Sequence, residues 1–446
     1  WSPDGAAILA FLEHKDGNSL ILVSAVDGSV RNLRAVGHRF PGRASFSPDG
    51  RYIAYDLQAG GDAFQRDIFA LPLDGGGETP LVQHPADDLF LGWTPDGKRI
   101  LFASDRTVQP GVWKLEVAGG RPVGAPELVR RDIGRIYAIG FTRAGAYYYG
   151  VDTGTDDIYI ATLDPATGRP LGPAKPLGRR FVGANAFPEW SPDGRHLAYK
   201  LEETPGIEAP RFASLGIRSL ETGAERQLSL RLYLLPGMRW SPDGGSMLMT
   251  GWDHENLQGL YRVDVETGEM TLVVRVPDMH IRQAVWSPDG KSVYYNENGR
   301  PIKGTHFVRR ELAGGRETVV YRGPFSWSMA LSPDGRKLAF CSDEGLSAIP
   351  AGGGEQRSLW KPKESIMDVA WTPDGRYILV GKRRSSSDQD TATELWRIPA
   401  EGNEAQNMSL TMGVIPHMRI HPDGRRIAFT AGQSSAEVWV MENFLP

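Results

Sequence analysis

Short runs of β-branched and aromatic residues, bounded by Gly, Pro, Asp and Asn, follow one another along the whole chain. The stretch from Arg43 shows the arrangement. Ala44-Ser45-Phe46 leads into Ser47-Pro48-Asp49-Gly50, and Tyr52-Ile53-Ala54-Tyr55 follows. After a loop come Asp67-Ile68-Phe69-Ala70-Leu71-Pro72-Leu73, then Asp74-Gly75-Gly76, then Thr79-Pro80-Leu81-Val82. Four β-type runs with turn chemistry between them predict an antiparallel four-stranded sheet. No segment carries apolar residues at i, i+3, i+4 and i+7 over three turns, so the chain reads as nearly all β.

The pattern is periodic. An aromatic or apolar residue followed by Ser/Thr-Pro-Asp-Gly stands at Trp1–Gly5, Phe46–Gly50, Trp93–Gly97, Trp190–Gly194, Trp240–Gly244, Trp286–Gly290, Leu331–Gly335, Trp371–Gly375 and, with His421 in the hydroxyl position, Ile420–Gly424. A worn copy, Phe-Thr-Arg-Ala-Gly, sits at Phe141–Gly145. The ten starts are 45, 47, 48, 49, 50, 46, 45, 40 and 49 residues apart. A period of about 40–50 residues suits a four-stranded propeller blade. Proline presets φ for the turn and Gly supplies positive φ at its end. The turn aspartates Asp4, Asp49, Asp96, Asp193, Asp243, Asp289, Asp334, Asp374 and Asp423 are expected to accept backbone N–H groups. Asp74–Gly76, Gly119-Gly120, Thr222-Gly223, Thr267-Gly268, Gly314-Gly315 and Gly352–Gly354 read as hairpin turns after the third strand.

These residues resemble the TolB-like, WD-type propeller repeat of bacteria: an aromatic, Ser-Pro-Asp-Gly, an Ile-Ala-Phe-type strand, an Ile-Tyr-type strand, then Asp-Gly-Gly. Trp190–Tyr199 matches nearly in full, and so does Ile420–Phe429 apart from His421. The resemblance covers all ten units and is specific for fold, not for function. The ending Glu437–Pro446 is similar to the C-termini of large bacterial proteins in which such an array follows a Ser/Thr kinase or winged-helix module. That likeness implies a sensory or docking role in a longer parent and an extracytoplasmic, periplasmic setting.

Either one ring of ten units or two rings accommodate the array. The worn copy and the Pro/Gly-rich connection Asp164–Asn185 favour a boundary near residue 180, with four units in 1–180 and six in 181–446. The last unit lacks a fourth strand, and the chain begins at Trp1 in mid-motif. A closing strand upstream, or closure by some other means, is therefore expected.

Composition narrows the function. The net charge of −4 and a single basic cluster, Lys382-Arg383-Arg384, which reads as a solvated strand end, argue against a nucleic-acid partner. No run approaches the roughly 18 apolar residues of a membrane span. The one cysteine, Cys341, cannot form an internal disulfide and reads as a small core hydrophobe. No Gly-x-Ser-x-Gly, His-Glu-x-x-His, P-loop or Cys-x-x-Cys occurs. The sequence therefore suggests no cofactor, no metal and no catalytic residue, and a non-enzymatic module for a protein or peptide, including a cell-envelope component.

The enzymatic alternative is a propeller-type metal-assisted polysaccharide lyase, or another propeller hydrolase, for which His417 and His421 are the nearest thing to a ligand pair. Asp87-Asp88 and Asp156-Asp157 read as solvated loop carboxylates. Trp252–Asn256 and Arg383–Asp390 are polar loops with the character of partner surface. In a propeller the first strand of each blade lines the channel. Residues three to six places before the motif aromatic then approach a channel mouth: Arg43, Asp88, Tyr137, Asn185, His280, Arg282, Trp327, Asp368 and His417. Their mixture of charge, aromatic and amide suits a concave polar binding site.

Overall fold

Each copy of the phrase closes the first strand of a sheet, and its side chains explain why the chain reverses there. In the second repeat the Ser47 hydroxyl donates to Asp49 Oδ1 (2.5 Å), which also accepts the Arg51 N–H (3.1 Å), while Ser47 Oγ accepts the Tyr52 N–H (3.0 Å). Gly50 takes φ 71°, a backbone conformation strained for L-residues, and lies in ordinary contact with Pro3 of the preceding copy. The same hydroxyl–carboxylate–amide arrangement recurs at Asp4, Asp96, Asp193, Asp243, Asp289, Asp334 and Asp374. In the tenth repeat His421 replaces the hydroxyl and Asp423 still accepts the Arg425 N–H (2.7 Å). In the worn copy Thr142 Oγ1 alone accepts an N–H, from Ala146 (3.1 Å).

The computed structural model describes residues 1–12, 17–39, 41–60, 63–107, 110–131, 136–152, 155–177, 185–201, 214–230, 232–234, 237–253, 257–275, 279–299, 304–384, 392–402, 404–413, 417–433, 436–442 and 444, with residues 60, 63, 64, 152, 155, 156, 233, 234, 279, 299, 327, 433 and 436 described in their backbone only. His254–Asn256, Ser385–Asp390 and the expected boundary near residue 180 lie outside them. The described residues form ten antiparallel sheets and contain no helix. Among the described residues no helix is long and apolar enough to cross a membrane. Most sheets follow chain order; the second, for example, runs Pro41–Phe46, Tyr52–Gly60, Ala63–Pro72 and Thr79–Val82. Neighbouring sheets bury their apolar faces against one another, as where Phe90, Phe102 and Leu115 of the third repeat meet Ile68 and Val82 of the second. Cys341 is fully buried in such a layer.

The tryptophans show how the sheets are ordered in space. Trp240 Nε1 donates to the Glu189 carbonyl (3.2 Å), Trp286 Nε1 to Arg239 (3.3 Å) and Trp371 Nε1 to Ala330 (3.1 Å). Each reaches the residue just before the first motif residue of the preceding repeat, Trp190, Trp240 and Leu331 respectively. Trp190 Nε1 of the fifth repeat reaches the Arg419 carbonyl of the tenth (3.0 Å). Gly194 likewise lies against His421, whose Nε2 is 2.9 Å from the Gly194 carbonyl oxygen. Repeats five to ten thus return on themselves.

The missing strands of the tenth repeat come from the fourth. Arg426–Gln433 pairs with Thr155–Thr162, which pairs in turn with Lys175–Pro176, while the last strand, Ala436–Met441, joins Ile136–Phe141 and Tyr147–Asp152 in the sheet of the fourth repeat. The register is continuous across the exchange: Tyr147 faces Met441, Asp152 faces Ala436, Thr155 faces Gln433 and Thr162 faces Arg426. One two-stranded ribbon therefore serves two sheets. Strands are shared across any single cut near residue 180, and the tenth sheet is closed from within the chain rather than from upstream. Edge pairing supplies the reason, since a sheet ending at Arg426–Gln433 leaves a row of N–H and C=O groups that need a partner.

Candidate functional site

The first strands of repeats five, seven, eight and nine carry a bulge before the motif, with register breaks between Ala186 and Glu189, Ile281 and Ala284, Ser326 and Ser328, and Ile366 and Asp368. A bulge leaves a residue unpaired and re-aims its side chain. In the seventh repeat Asn296 Oδ1 holds it open by accepting the Arg282 and Gln283 N–H groups (3.1 and 2.8 Å).

Below the bulges runs a polar belt, one side chain per repeat: Glu189, Arg239, Gln283, Ser328, Asp368 and Arg419. Arg419 Nε donates to Glu189 Oε2 (2.6 Å), which Arg239 Nη1 approaches at 3.4 Å. Arg419 Nη1 reaches Asp368 Oδ2 (3.2 Å). Ser328 Oγ lies 2.7 Å from Asp368 Oδ1 and 3.2 Å from Gln283 Oε1. The Met418 and Val369 N–H groups complete the Asp368 carboxylate (2.8 and 2.9 Å). The two arginines differ electrostatically. Burial, with Arg419 close by, lowers Arg239 to about 10, because its compensation comes mainly from one carboxylate that it shares. Burial opposes Arg419 too, but Asp368 and Glu189 together hold it above its ordinary value.

At the joint between the tenth and fifth repeats two residues other than glycine occupy the left-handed region: Phe187 (φ 59°) and His417 (φ 41°). Such conformations cost on the order of 1–3 kcal/mol and concentrate at ligand sites. Their rings meet edge to face with centroids 4.3 Å apart, and Lys200 Nζ stands 5.7 Å from the Phe187 ring centre. Burial pushes the His417 imidazole down to about 3; Arg419, Arg239 and Lys200 push the same way, and Asp368 opposes them. His417 is neutral at ordinary pH, and among the described residues its ring nitrogens make no hydrogen bond.

The structure divides the residues expected at one mouth. Asn185, His280, Arg282 and Asp368 lie on first strands of repeats five, seven and nine, as does Trp327 of the eighth, whose side chain is outside the described residues, and His417 stands two places before the first strand of the tenth, Arg419–Ile420. Asn185 donates to Asp157 of the exchanged strand (3.2 Å). His280 Nδ1 is 2.9 Å from Gln258 Oε1 and its ring meets Trp252 edge-on. Arg282 stacks 5.8 Å from the Phe325 ring centre. Asp88 and Tyr137 belong to repeats three and four and do not join them. Asp88 is fully buried against Arg106 (2.7 Å), and Tyr137 is exposed.

Two further expectations change. Asp87-Asp88 is not a solvated pair: burial raises both carboxyls, Asp87 to about 6 beside Arg66. Lys382 is buried, bonded to Glu364 (3.0 Å) and set over Trp396, because its strand is covered by a neighbouring one. His417 and His421 have separate surroundings, the latter meeting Asp423 and Gly194 on the turn face. Among the described residues no group of three or more His, Cys, Asp or Glu could hold a metal. A cavity of about 500 Å³ on that turn face lies between repeats five and six, beside the Arg226–Glu266 ion pair (3.0 Å).

Glu189, Arg239 and Arg419 were missed by counting three to six places before the aromatic. They stand one place before it, and their signal was charge at a position that in other repeats is apolar or small.

Residues 1–124 match the TolB beta propeller domain family. A solved structure of a putative TolB from Agrobacterium tumefaciens superposes on 64% of this chain and 99% of that one, with a TM-score of 0.51 and 16% identity, which speaks to fold alone. The uncharacterized peptidase YuxL of Bacillus subtilis is 22% identical over 201 residues, 45% of this chain. Dipeptidyl-peptidase 5 of Porphyromonas gingivalis is 24% identical over 307 residues, 56% of this chain. The chain spans 30% and 43% of the lengths of these two relatives.

Proposed function

We propose that this all-β, TolB-like array is a binding module whose ligand, a protein or peptide of the cell envelope, docks at the mouth of the ring formed by repeats five to ten. The observation that carries the reading is the Phe187–His417 pair. Two side chains in a costly backbone conformation are held at the joint of the ring, above a belt that fixes their neighbours. Preorganised aromatic and polar groups of this kind suit an anchor pocket. Repeats one to four, joined to the ring by the exchanged ribbon, act as its mount in a larger, extracytoplasmic protein with a sensory or docking role.

The test places a photoreactive benzoylphenylalanine at Phe187 and, as control, at Val26, which is 88% exposed on the first sheet. Envelope extract should give an adduct at the first position and not at the second. Equal labelling at both, or none at Phe187, refutes the site.

A second reading rests on the relatives named as peptidases. In it the array is the propeller portion of a larger hydrolase, and the mouth admits a peptide substrate. Peptidase activity of the full-length parent that disappears on Phe187→Ala favours this reading over docking alone.

A further inference from the structure

We propose that the stack of repeats one to four closes on a second copy of this chain, the outer side of its fourth sheet packing on the outer side of the partner's first sheet, and the reverse. The surface belongs to repeats one and four and is independent of the docking reading above.

The junctions already present in the stack define the contact. Along a strand, side chains alternate between the sheet before and the sheet after. In repeat two, Ile53 and Leu57 pack with Leu20 and Val36 of repeat one. In repeat three, Ile100 and Phe102 meet Ile68 and Val82 of repeat two, while Leu101 and Ala103 meet Tyr147 and Tyr149 of repeat four. All of these side chains are buried.

The same positions at the two ends of the stack are apolar and uncovered. Ile8 and Leu12 hold in repeat one the places of Ile53 and Leu57 in repeat two, yet they are 36% and 47% exposed. Val30 lies on their side, since it faces Val23, which in turn faces Ile8. In repeat four the worn turn closes through the Ala146 carbonyl, where repeat three uses that of Arg99. Tyr147 therefore takes the place of Ile100, and Tyr148 that of Leu101. Leu101 is buried, but Tyr148 is 37% exposed. On the exchanged last strand Val440 stands opposite Tyr148 and Val438 opposite Gly150, 41% and 69% exposed.

A second copy suits both surfaces at once. Contiguous exposed apolar faces of this kind mark sites of association. The outer side of sheet four corresponds to the sides that receive the next repeat at the three junctions within the stack, and the outer side of sheet one corresponds to the sides that are received. Within one chain the two do not meet, because both are exposed. Two chains related by a two-fold axis bring each side to its complement, twice over. The pair then closes eight sheets, within the range of about four to eight blades over which propeller rings form.

Sedimentation of the full chain at micromolar concentrations should give a dimer that grows no further. Ile8→Glu and Val438→Lys should each weaken it about tenfold or more, with the circular dichroism spectrum unchanged because both side chains are exposed in the single chain. Leu272→Glu, at a comparably exposed apolar position on the sixth repeat, should leave the dimer intact. Mixing the Ile8→Glu and Val438→Lys chains should restore a one-to-one pair, since one junction is then unaltered and the other sets opposite charges together. Weakening by only one of the two changes means that like sides meet, and overturns the proposal. A mixture that stays monomeric, assemblies that lengthen with concentration, or loss of the dimer in Leu272→Glu overturns it too. A monomeric unmodified chain does the same and leaves the two sides to a partner of another kind.

Discussion

Replacing Glu189 by Gln isolates what holds the ring joint. The carboxylate is only 13% exposed and is shared by two guanidiniums, each 12% exposed, from the repeats on either side. Gln keeps the shape and removes the charge. Arg239 then faces Arg419 without the anion between them, although burial has already lowered Arg239 to about 10. Removing one partner of a buried ion pair costs about 3–5 kcal/mol, because the remaining charge stays desolvated. At roughly 2–4 °C per kcal/mol for bodies of 150–250 residues, the melting temperature should fall on the order of 6–20 °C. Scanning calorimetry measures the fall. A double-mutant cycle with Arg239→Gln should recover a coupling on the order of 1–3 kcal/mol, since the second change removes the stranded cation. A shift for Glu189→Gln within about 0.5 kcal/mol, the scale of an ordinary surface substitution, would refute the belt as the element that ties repeat ten to repeats five and six.

Four other outcomes follow from the same geometry. Asp193→Ala should cost about 1 kcal/mol by urea unfolding, through loss of the bonds to Ser191 and Arg195, while Ala144→Asp in the worn copy should be neutral or mildly stabilising. Hydrogen bonds from Ser47 and Ser191 lower Asp49 and Asp193, and Asp374 is lowered to about 2 by Thr372 and Arg376 against a burial penalty. Folded-state values below the ordinary 3.8 mean that this stabilisation is complete above about pH 4 and is lost as pH falls towards 2, so melting temperatures at pH 5, 4, 3 and 2 should drop over that window. A fragment of residues 155–433 should melt in one cooperative step, whereas 185–433 should self-associate through its unpaired Arg426–Gln433 edge; equal monomeric behaviour in sedimentation would contradict the exchange. Trp190→Phe should cost about 1 kcal/mol in thermal melts, as the indole loses the Arg419 carbonyl, with no change expected from Trp439→Phe on the exposed last strand.

Local chemistry was legible without coordinates. The strand runs, the hairpin glycines and the aspartate turn each rest on residues within a few positions of one another, and Asp49 bonds to Ser47 and Arg51 because proline and glycine bring the backbone there. Repetition of that turn disclosed the sheet-by-sheet architecture for the same reason. Contacts that join distant parts of the chain left no local mark. Nothing in the composition of Thr155–Thr162 announces that Arg426–Gln433 will be its partner. Any extended segment offers the same N–H and C=O groups, so pairing is chosen by proximity in three dimensions. Charge at Glu189, Arg239 and Arg419 was visible as letters, but its meaning came from convergence of three repeats at one joint, where desolvation couples side chains about 50 and 230 positions apart in the chain. Periodicity determined what each unit is. Only the tertiary structure decided which units meet, because the energies of edge pairing and buried charge depend on neighbours that sequence order does not specify.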